Sequence, residues 1–247
     1  MSKDIETDAP GPWSGEALRL LRAWDAAWTA DCERMTRAAW QAGGLSPRIA
    51  ALVALAVASA STALDADGTR RHIRAALAAG STRQEVLTVL KMAALLSIHS
   101  CSVGAPILLE EAKEAGLAPP AAPEPAPPTP ACDRLRAAGQ WNAAWDPFFQ
   151  LAPDWTDAFM AAGGGIYLGG IEPKLAELLS IAFDASIRHL YAPGVRRHIR
   201  AALALGATMA EVMGVLQICV AQGVQALNQG VPILEEELAR TASQQQP

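Results

Sequence analysis

The stretch RRHIRAALAAG, residues 70–80, returns as RRHIRAALALG, residues 196–206, with ten of eleven positions identical. At 100° per residue, Ile73, Ala76 and Leu77 form one apolar stripe of a helix. His72 falls on the flank of that stripe, Arg70 lies nearest the buried side, and Arg71 and Arg74 point away. Gly80 and Gly206 follow, where a left-handed residue ends a helix. Thr82-Arg-Gln-Glu85 and Thr208-Met-Ala-Glu211 then match the S/T-x-x-E capping box and open the next helix. Upstream, Ser46-Pro47 and Glu172-Pro173 place proline at the first position of an earlier helix. Leu175, Leu178, Leu179, Ala182 and Ala185 continue it at helical spacing. No strand-like alternation lasts for a whole segment, so the chain reads as all-α.

The repeat reaches well beyond these eleven residues. Ser46 to about Glu111 registers without gaps on Glu172 to about Glu237, with His198 lying 126 residues after His72. Trp24-Asp-Ala-Ala-Trp28 echoes as Trp141-Asn-Ala-Ala-Trp145 at a shift of 117, so the second copy carries nine extra residues between Trp145 and Glu172. Both tryptophan pairs are i,i+4 and read as core or interface anchors. Between the copies runs GLAPPAAPEPAPPTPA, residues 116–131. That much proline forms neither helix nor sheet and predicts an extended spacer rising roughly 3 Å per residue. The expected organisation is a helical repeat over 1–115, a linker over 116–131 and a second repeat over 132–247.

Composition narrows the partners. Of 247 residues, 51% are hydrophobic and 18% charged, ample for a sizeable core. A net charge of −5 argues against a nucleic-acid surface, which needs clustered Lys and Arg. The start, MSKDIETDAPGPW, is polar and acidic, unlike a secretory signal. The longest apolar runs, such as IAALVALAVASA, fall short of the roughly 20 residues that span a bilayer. Cys32, Cys101, Cys132 and Cys219 have no CxxC or metal-like spacing and suit reduced thiols. These features predict a cytoplasmic protein with neither membrane nor nucleic-acid partner and no metal or other cofactor.

The candidate chemistry gathers around the repeated histidine. Arg70, Arg71 and Arg74 surround His72, as Arg196, Arg197 and Arg200 surround His198, and such charges lower a histidine pKa and attract a carboxylate. Glu177, Asp184 and Arg188 share one face of the first repeated helix of copy two, where copy one has Ala51, Ala58 and Thr62. A buried acid beside a histidine is the make-up of a proton-transfer site, so copy two is the chemically richer half. His99 and His189 face Gln225 and Ala63 in the alignment and belong to a single site or to none. The catalytic candidates are His198, His72 and Glu177. The substrate-binding candidates are Arg196, Arg70, Arg197, Trp155 and His99. A structural reading stands beside these: a boundary histidine bonded to a neighbouring helix, on a solvated arginine face.

The order Pro, apolar helix, His-Ile-x-x-Ala-Leu, Gly, Thr-x-x-Glu, apolar helix, Gly-x-Pro resembles the carboxymuconolactone decarboxylase family and its alkylhydroperoxidase D-like relatives. The resemblance covers roughly 20–112 and 141–238. It implies an all-helical fold in which two tandem domains form a fused pseudo-dimer, assembling as a homo-oligomer, either a trimer of two-repeat chains or a dimer. The peroxidase branch carries a CxxC seven and four residues before its histidine; here those positions are Asp65 and Gly68, and Tyr191 and Gly194. The decarboxylase branch usually has a tyrosine where Ser102 and Asn228 stand, and the family's early glutamate is kept only as Glu177. The resemblance implies a cofactor-free decarboxylase, lyase or isomerase acting on a small carboxylated, cyclic or lactone-like metabolite by histidine acid–base chemistry. The alternatives are a non-catalytic ligand-binding or scaffold module, and a hydroperoxide reductase using a lone cysteine.

Overall fold

The computed structural model describes residues 11–41, 44–119, 121, 124–165 and 171–245, and these are helical with no strand among them. The first copy comprises α1 (Gly15–Trp24), α2 (Ala26–Gln41), α3 (Pro47–Ser59), α4 (Ala66–Ala78), α5 (Arg83–Leu95) and α6 (His99–Glu114). The second comprises α7 (Pro130–Ala137), α8 (Asp146–Leu151), α9 (Pro153–Gly165), α10 (Pro173–Ala185), α11 (Ala192–Ala204), α12 (Met209–Ala221) and α13 (Gln225–Gln244). One 3-10 turn joins α5 to α6 and another joins α12 to α13.

The predicted punctuation stands. Thr82 and Thr208 each close a full capping box with Glu85 and Glu211. The same two glutamates tie the first repeated helix to the third, through Arg48–Glu85 in copy one and Lys174–Glu211 at 3.1 Å in copy two. Gly80 and Gly206 end α4 and α11 at φ +89 and +82, a region glycine enters without a Cβ clash. The described residues between Gly116 and Thr129 have no regular structure, but α7 begins at Pro130, inside the stretch expected to be linker. Proline at the first helical turn fits there because its missing N–H would have no partner anyway. The extra residues of copy two form α8 and the start of α9; residues 166–170 of that stretch lie outside the described residues.

The two copies share one core. Leu52, Leu55 and Val89 from the first and Leu178, Ile181 and Ile218 from the second are buried in a single apolar cluster. Each such side chain contributes about 1.5–3 kcal/mol on burial. Two satellite clusters cross the copies in mirrored fashion. α1 packs on α13 through Leu18, Leu21 and Val231, and α7–α9 pack on α6 through Leu135, Phe148 and Ala105. The sequence repeats are therefore interleaved halves of one pseudo-dimer.

Three surface expectations need correcting. Trp24 and Trp28 are exposed, because α2 turns its Thr29 and Thr36 face inward instead. Leu77 is 48% exposed, and the buried stripe of α4 runs through Gly68, His72 and Ala76. Arg188 falls beyond the end of α10 and donates to the carbonyl of Ala63. Counted through their 3-10 turns, Arg83–Glu114 and Met209–Gln244 are each long and apolar enough to cross a membrane, contrary to the reading of shorter runs. Their buried residues, among them Val89, Met92, Val215 and Ile218, pack into the protein's own core, and core helices satisfy the same length and composition test.

Candidate active site

The apolar stripe of α11 buries His198 to 5% exposure, against the inner faces of α10 and the start of α6. Glu177 and Asp184 are seven residues apart on α10, two helical turns, so both carboxyls meet the same imidazole. His198 Nδ1 lies 2.6 Å from Glu177 Oε2, and its Nε2 lies 3.7 Å from Asp184 Oδ2. Nδ1–H donation to Glu177 fixes the tautomer and leaves Nε2 as the working nitrogen.

A tight turn after α10 completes the wall. Tyr191 N–H donates to the Asp184 carbonyl at 2.8 Å, and Leu190 adopts φ +48 to make the turn. A non-glycine residue in that region costs roughly 1–2 kcal/mol. Leu64 repeats the conformation at φ +47 in copy one. The turn brings His189 and Tyr191 against His99, which arrives from the other copy. His99 Nδ1 sits 2.7 Å from His189 Nε2 and 3.6 Å from Asp184 Oδ1, and its ring stacks on Tyr191 with centroids 4.0 Å apart. Gly194 is required below Asp184, since a Cβ there would meet Asp184 Oδ2 at 1.9 Å.

His198, Asp184, His99, Tyr191 and Gly194 line a cavity of about 220 Å³ between the copies. Met92, Leu96 and His99 come from copy one; Trp145, Phe183 and Arg197 are among the contributors from copy two. The wall is mostly apolar, with Asp184, Arg197 and His198 as its convergent charged or titratable groups from copy two. Burial pushes the Asp184 carboxyl up to about 7, with Arg197 opposing and Glu177 reinforcing the rise. Burial also pushes His99 down to about 4, aided by the positive potential of His189, His198 and Arg197. Asp184 Oδ2 is buried without a hydrogen-bond partner.

The other repeated histidine has a different setting. His72 is 1% exposed, in the middle of the buried stripe and not on its flank. Gln222 donates its amide N–H to His72 Nε2 at 3.1 Å. Gln225 and Asn228 continue the network to the Pro12 carbonyl, and Arg71 donates to both Pro12 and Gln225. Burial, helped by the charge of Arg71, pushes His72 down to about 3 against a weaker pull from Gln222.

Among the sequence candidates, the structure thus gathers His198, Glu177, Arg197 and His99, and sets His72 in a filled network. Arg70 and Arg196 are exposed; Arg71 and Arg197, one residue on, are the ones turned inward, because α4 and α11 bury Gly68 and Gly194. Trp155 is 48% exposed and stacks on Phe159, which takes the cavity position one helical turn later. Tyr191, Trp145 and Ser102 went unselected by sequence; only their alignment against Asp65, Trp28 and Asn228 marked their positions.

The chain matches the carboxymuconolactone decarboxylase family over residues 22–98 and 153–236. It is similar to a crystal structure from Burkholderia xenovorans LB400, that of a protein provisionally assigned as a gamma-carboxymuconolactone decarboxylase subunit. The two share 34% identity over 91% of each chain, with a TM-score of 0.81. No curated protein matches the chain.

Proposed function

The chain belongs to the carboxymuconolactone decarboxylase family, and from that premise we propose that it is a decarboxylase-like enzyme for a small cyclic or lactone-like carboxylate. The observation that carries the reading is buried His198, paired with Glu177 at 2.6 Å, on the wall of an apolar cavity that Arg197 also lines. A cavity of about 150 Å³ already accepts benzene, so one of about 220 Å³ suits a single substituted ring. Arg197 holds a substrate carboxylate, and Trp145, beneath its guanidinium at 5.6 Å, fixes where that charge sits. Breaking the carbon–carboxyl bond releases CO2 and leaves its electron pair on the ring as a dienolate. His198, as the imidazolium with its Nδ1–H held by Glu177, gives its Nε2 proton to that carbon and becomes the neutral imidazole, and a proton from solvent restores the imidazolium. Glu177 stabilises the imidazolium that this step needs.

A scaffold role predicts a packed core with the histidine bonded to its surroundings, and that description fits His72, not His198. A thiol peroxidase needs an accessible thiolate. Burial instead pushes Cys132 and Cys219 up to about 11 and about 12, and no cysteine lines the cavity. The proposal includes a homo-oligomer. Exposed apolar side chains recur at equivalent places, Ile107 with Ile233 and Leu108 with Leu234, as repeated contact faces would require. The test is a panel of small carboxylated lactones and cyclic acids, screened by thermal shift and then for CO2 release. Hits that stabilise the wild type and are turned over, but not by His198→Ala, support the reading. Full turnover by His198→Ala overturns it.

A further inference from the structure

Two histidines at the cavity edge, His99 and His189, take no part in the proton transfer, and Asp184 faces them as well as His198. His99, Asp184 and His189 each offer one ligand atom, and these atoms lie within 4.8 Å of one another. The two imidazole nitrogens are 2.7 Å apart, and His99 Nδ1 is 3.6 Å from Asp184 Oδ1. Donors bound about 2.0–2.2 Å from one ion lie roughly 3.0–3.5 Å from each other. To reach that range the imidazoles part by a few tenths of an ångström, and His189 and Asp184, within 4.8 Å of each other, come into it as well.

The pseudo-symmetry supplies an internal control. The positions equivalent to Asp184, His189 and His99 in the other half are Ala58, Ala63 and Gln225. All three donors occur together at one of the two related places and none occurs at the other. Two of them come from copy two and one from copy one, so no local repeat signal forces that coincidence. The carboxyl is also buried: Asp184 is 2% exposed, with Oδ1 toward His99 and Oδ2, which like Asp65 Oδ2 in the other half has no hydrogen-bond partner, 3.7 Å from His198 Nε2. A buried carboxylate short of partners costs free energy unless something completes it, and only Asp184 has two imidazoles beside it. The stacked Tyr191 ring holds His99 in its orientation, as partners around metal-bound histidines do.

We propose that His99, His189 and Asp184 bind one divalent transition-metal ion of the Zn2+ or Fe2+ class at the edge of the cavity. Two imidazoles and one carboxylate on one side of an ion leave open positions. His99 and Asp184 both line the cavity, so an oxygen-bearing ligand there would share the ion. This site goes beyond the decarboxylase reading and does not rest on it, because binding is measured without substrate.

The test uses the full chain stripped with chelator and titrated with Co2+, whose visible ligand-field bands report coordination, and with Zn2+ by calorimetry. One equivalent per chain is expected, with affinity falling at least tenfold in His99→Ala, His189→Ala and Asp184→Asn. His189 stands on a half-exposed turn, so its variant keeps the test alive if either of the others fails to fold. Zinc should also shift the imidazole nitrogen resonances of His99 and His189 and leave those of His72 in place. Absence of stoichiometric Co2+ and Zn2+ binding, or unchanged affinity in His189→Ala, overturns the proposal. An inactive decarboxylase assay leaves this result untouched, and the converse holds too.

Discussion

Around His72, the facing turn and helix of the other copy present Gln222, Gln225 and Asn228, and the Pro12 carbonyl closes the space. Around His198, the equivalent residues are Leu96, His99 and Ser102, and a cavity of about 220 Å³ remains. The two histidines sit in almost the same eleven residues, so the helix that carries them does not decide their chemistry. The opposing copy does. Long amides in one half bond to each other, to His72 and to the N-terminal segment, and fill the volume. An apolar leucine and a shorter serine in the other half leave room and leave the histidine to Glu177. Even the carboxyl beneath the helix changes source. Asp65 Oδ2 would crowd a Cβ on Gly68 at 2.1 Å, and Asp184 Oδ2 one on Gly194 at 1.9 Å, yet the two acids occupy non-equivalent positions of the repeat.

The contrast is open to attack at several points, the strongest being activity. His198→Ala should lower turnover of any identified substrate by about 10²–10⁴, with helicity by circular dichroism unchanged. His72→Gln should leave turnover within a few fold, and an equal loss in both variants would erase the distinction between the halves.

Stability should respond the other way round. His72→Ala opens a cavity and leaves the Gln222 amide unpaired, a combination worth roughly 2–5 kcal/mol, read from denaturant midpoints. The same residue sets a pH dependence. His72 falls from 6.5 to about 3 on folding, so the unfolded chain binds its proton more readily. Its contribution to stability is complete above about pH 6.5 and is lost progressively as pH falls toward 3. Each pK unit is worth about 1.4 kcal/mol, and the slope attributable to this residue should vanish in His72→Gln when urea midpoints are compared between pH 7 and pH 4.

The two arginines at the start of the repeated helix offer a finer comparison. Arg197→Ala should weaken carboxylate binding about tenfold or more in the thermal-shift titration, because its guanidinium lines the cavity. Arg196→Ala, on the exposed side, should leave the curve in place. The smallest effect separates the glycines. Gly194→Ala must move Asp184 and should reshape ligand binding, whereas Gly68→Ala moves Asp65 and should register only as a modest fall in melting temperature.

Much of the architecture was legible in the chain. Capping boxes, left-handed glycines and N-terminal prolines are satisfied by groups three or four residues away, so their spacing alone specifies them. The repeat offset likewise announced two related halves, and Glu177 was visible as an acid present only in the copy of His198. Which arginine turned inward was not, because the helical wheel placed Leu77 in the buried stripe and the packed helix buries Gly68, His72 and Ala76 instead. Trp155 was misplaced for a related reason, since one turn along α9 separates the solvent face from the cavity face.

The sequence by itself determined the all-helical class, the starts and stops of the repeated helices and the duplicated histidine, all of which rest on contacts within a few residues. Only the tertiary structure decided that one histidine is locked and the other faces a cavity between the copies. His72 meets Gln222 across 150 residues and His99 meets His189 across 90. Contacts of that range come from the burial of α3 against α10 and of each N-terminal unit on the other copy's last helix. Apolar burial of that kind has no sequence spacing of its own.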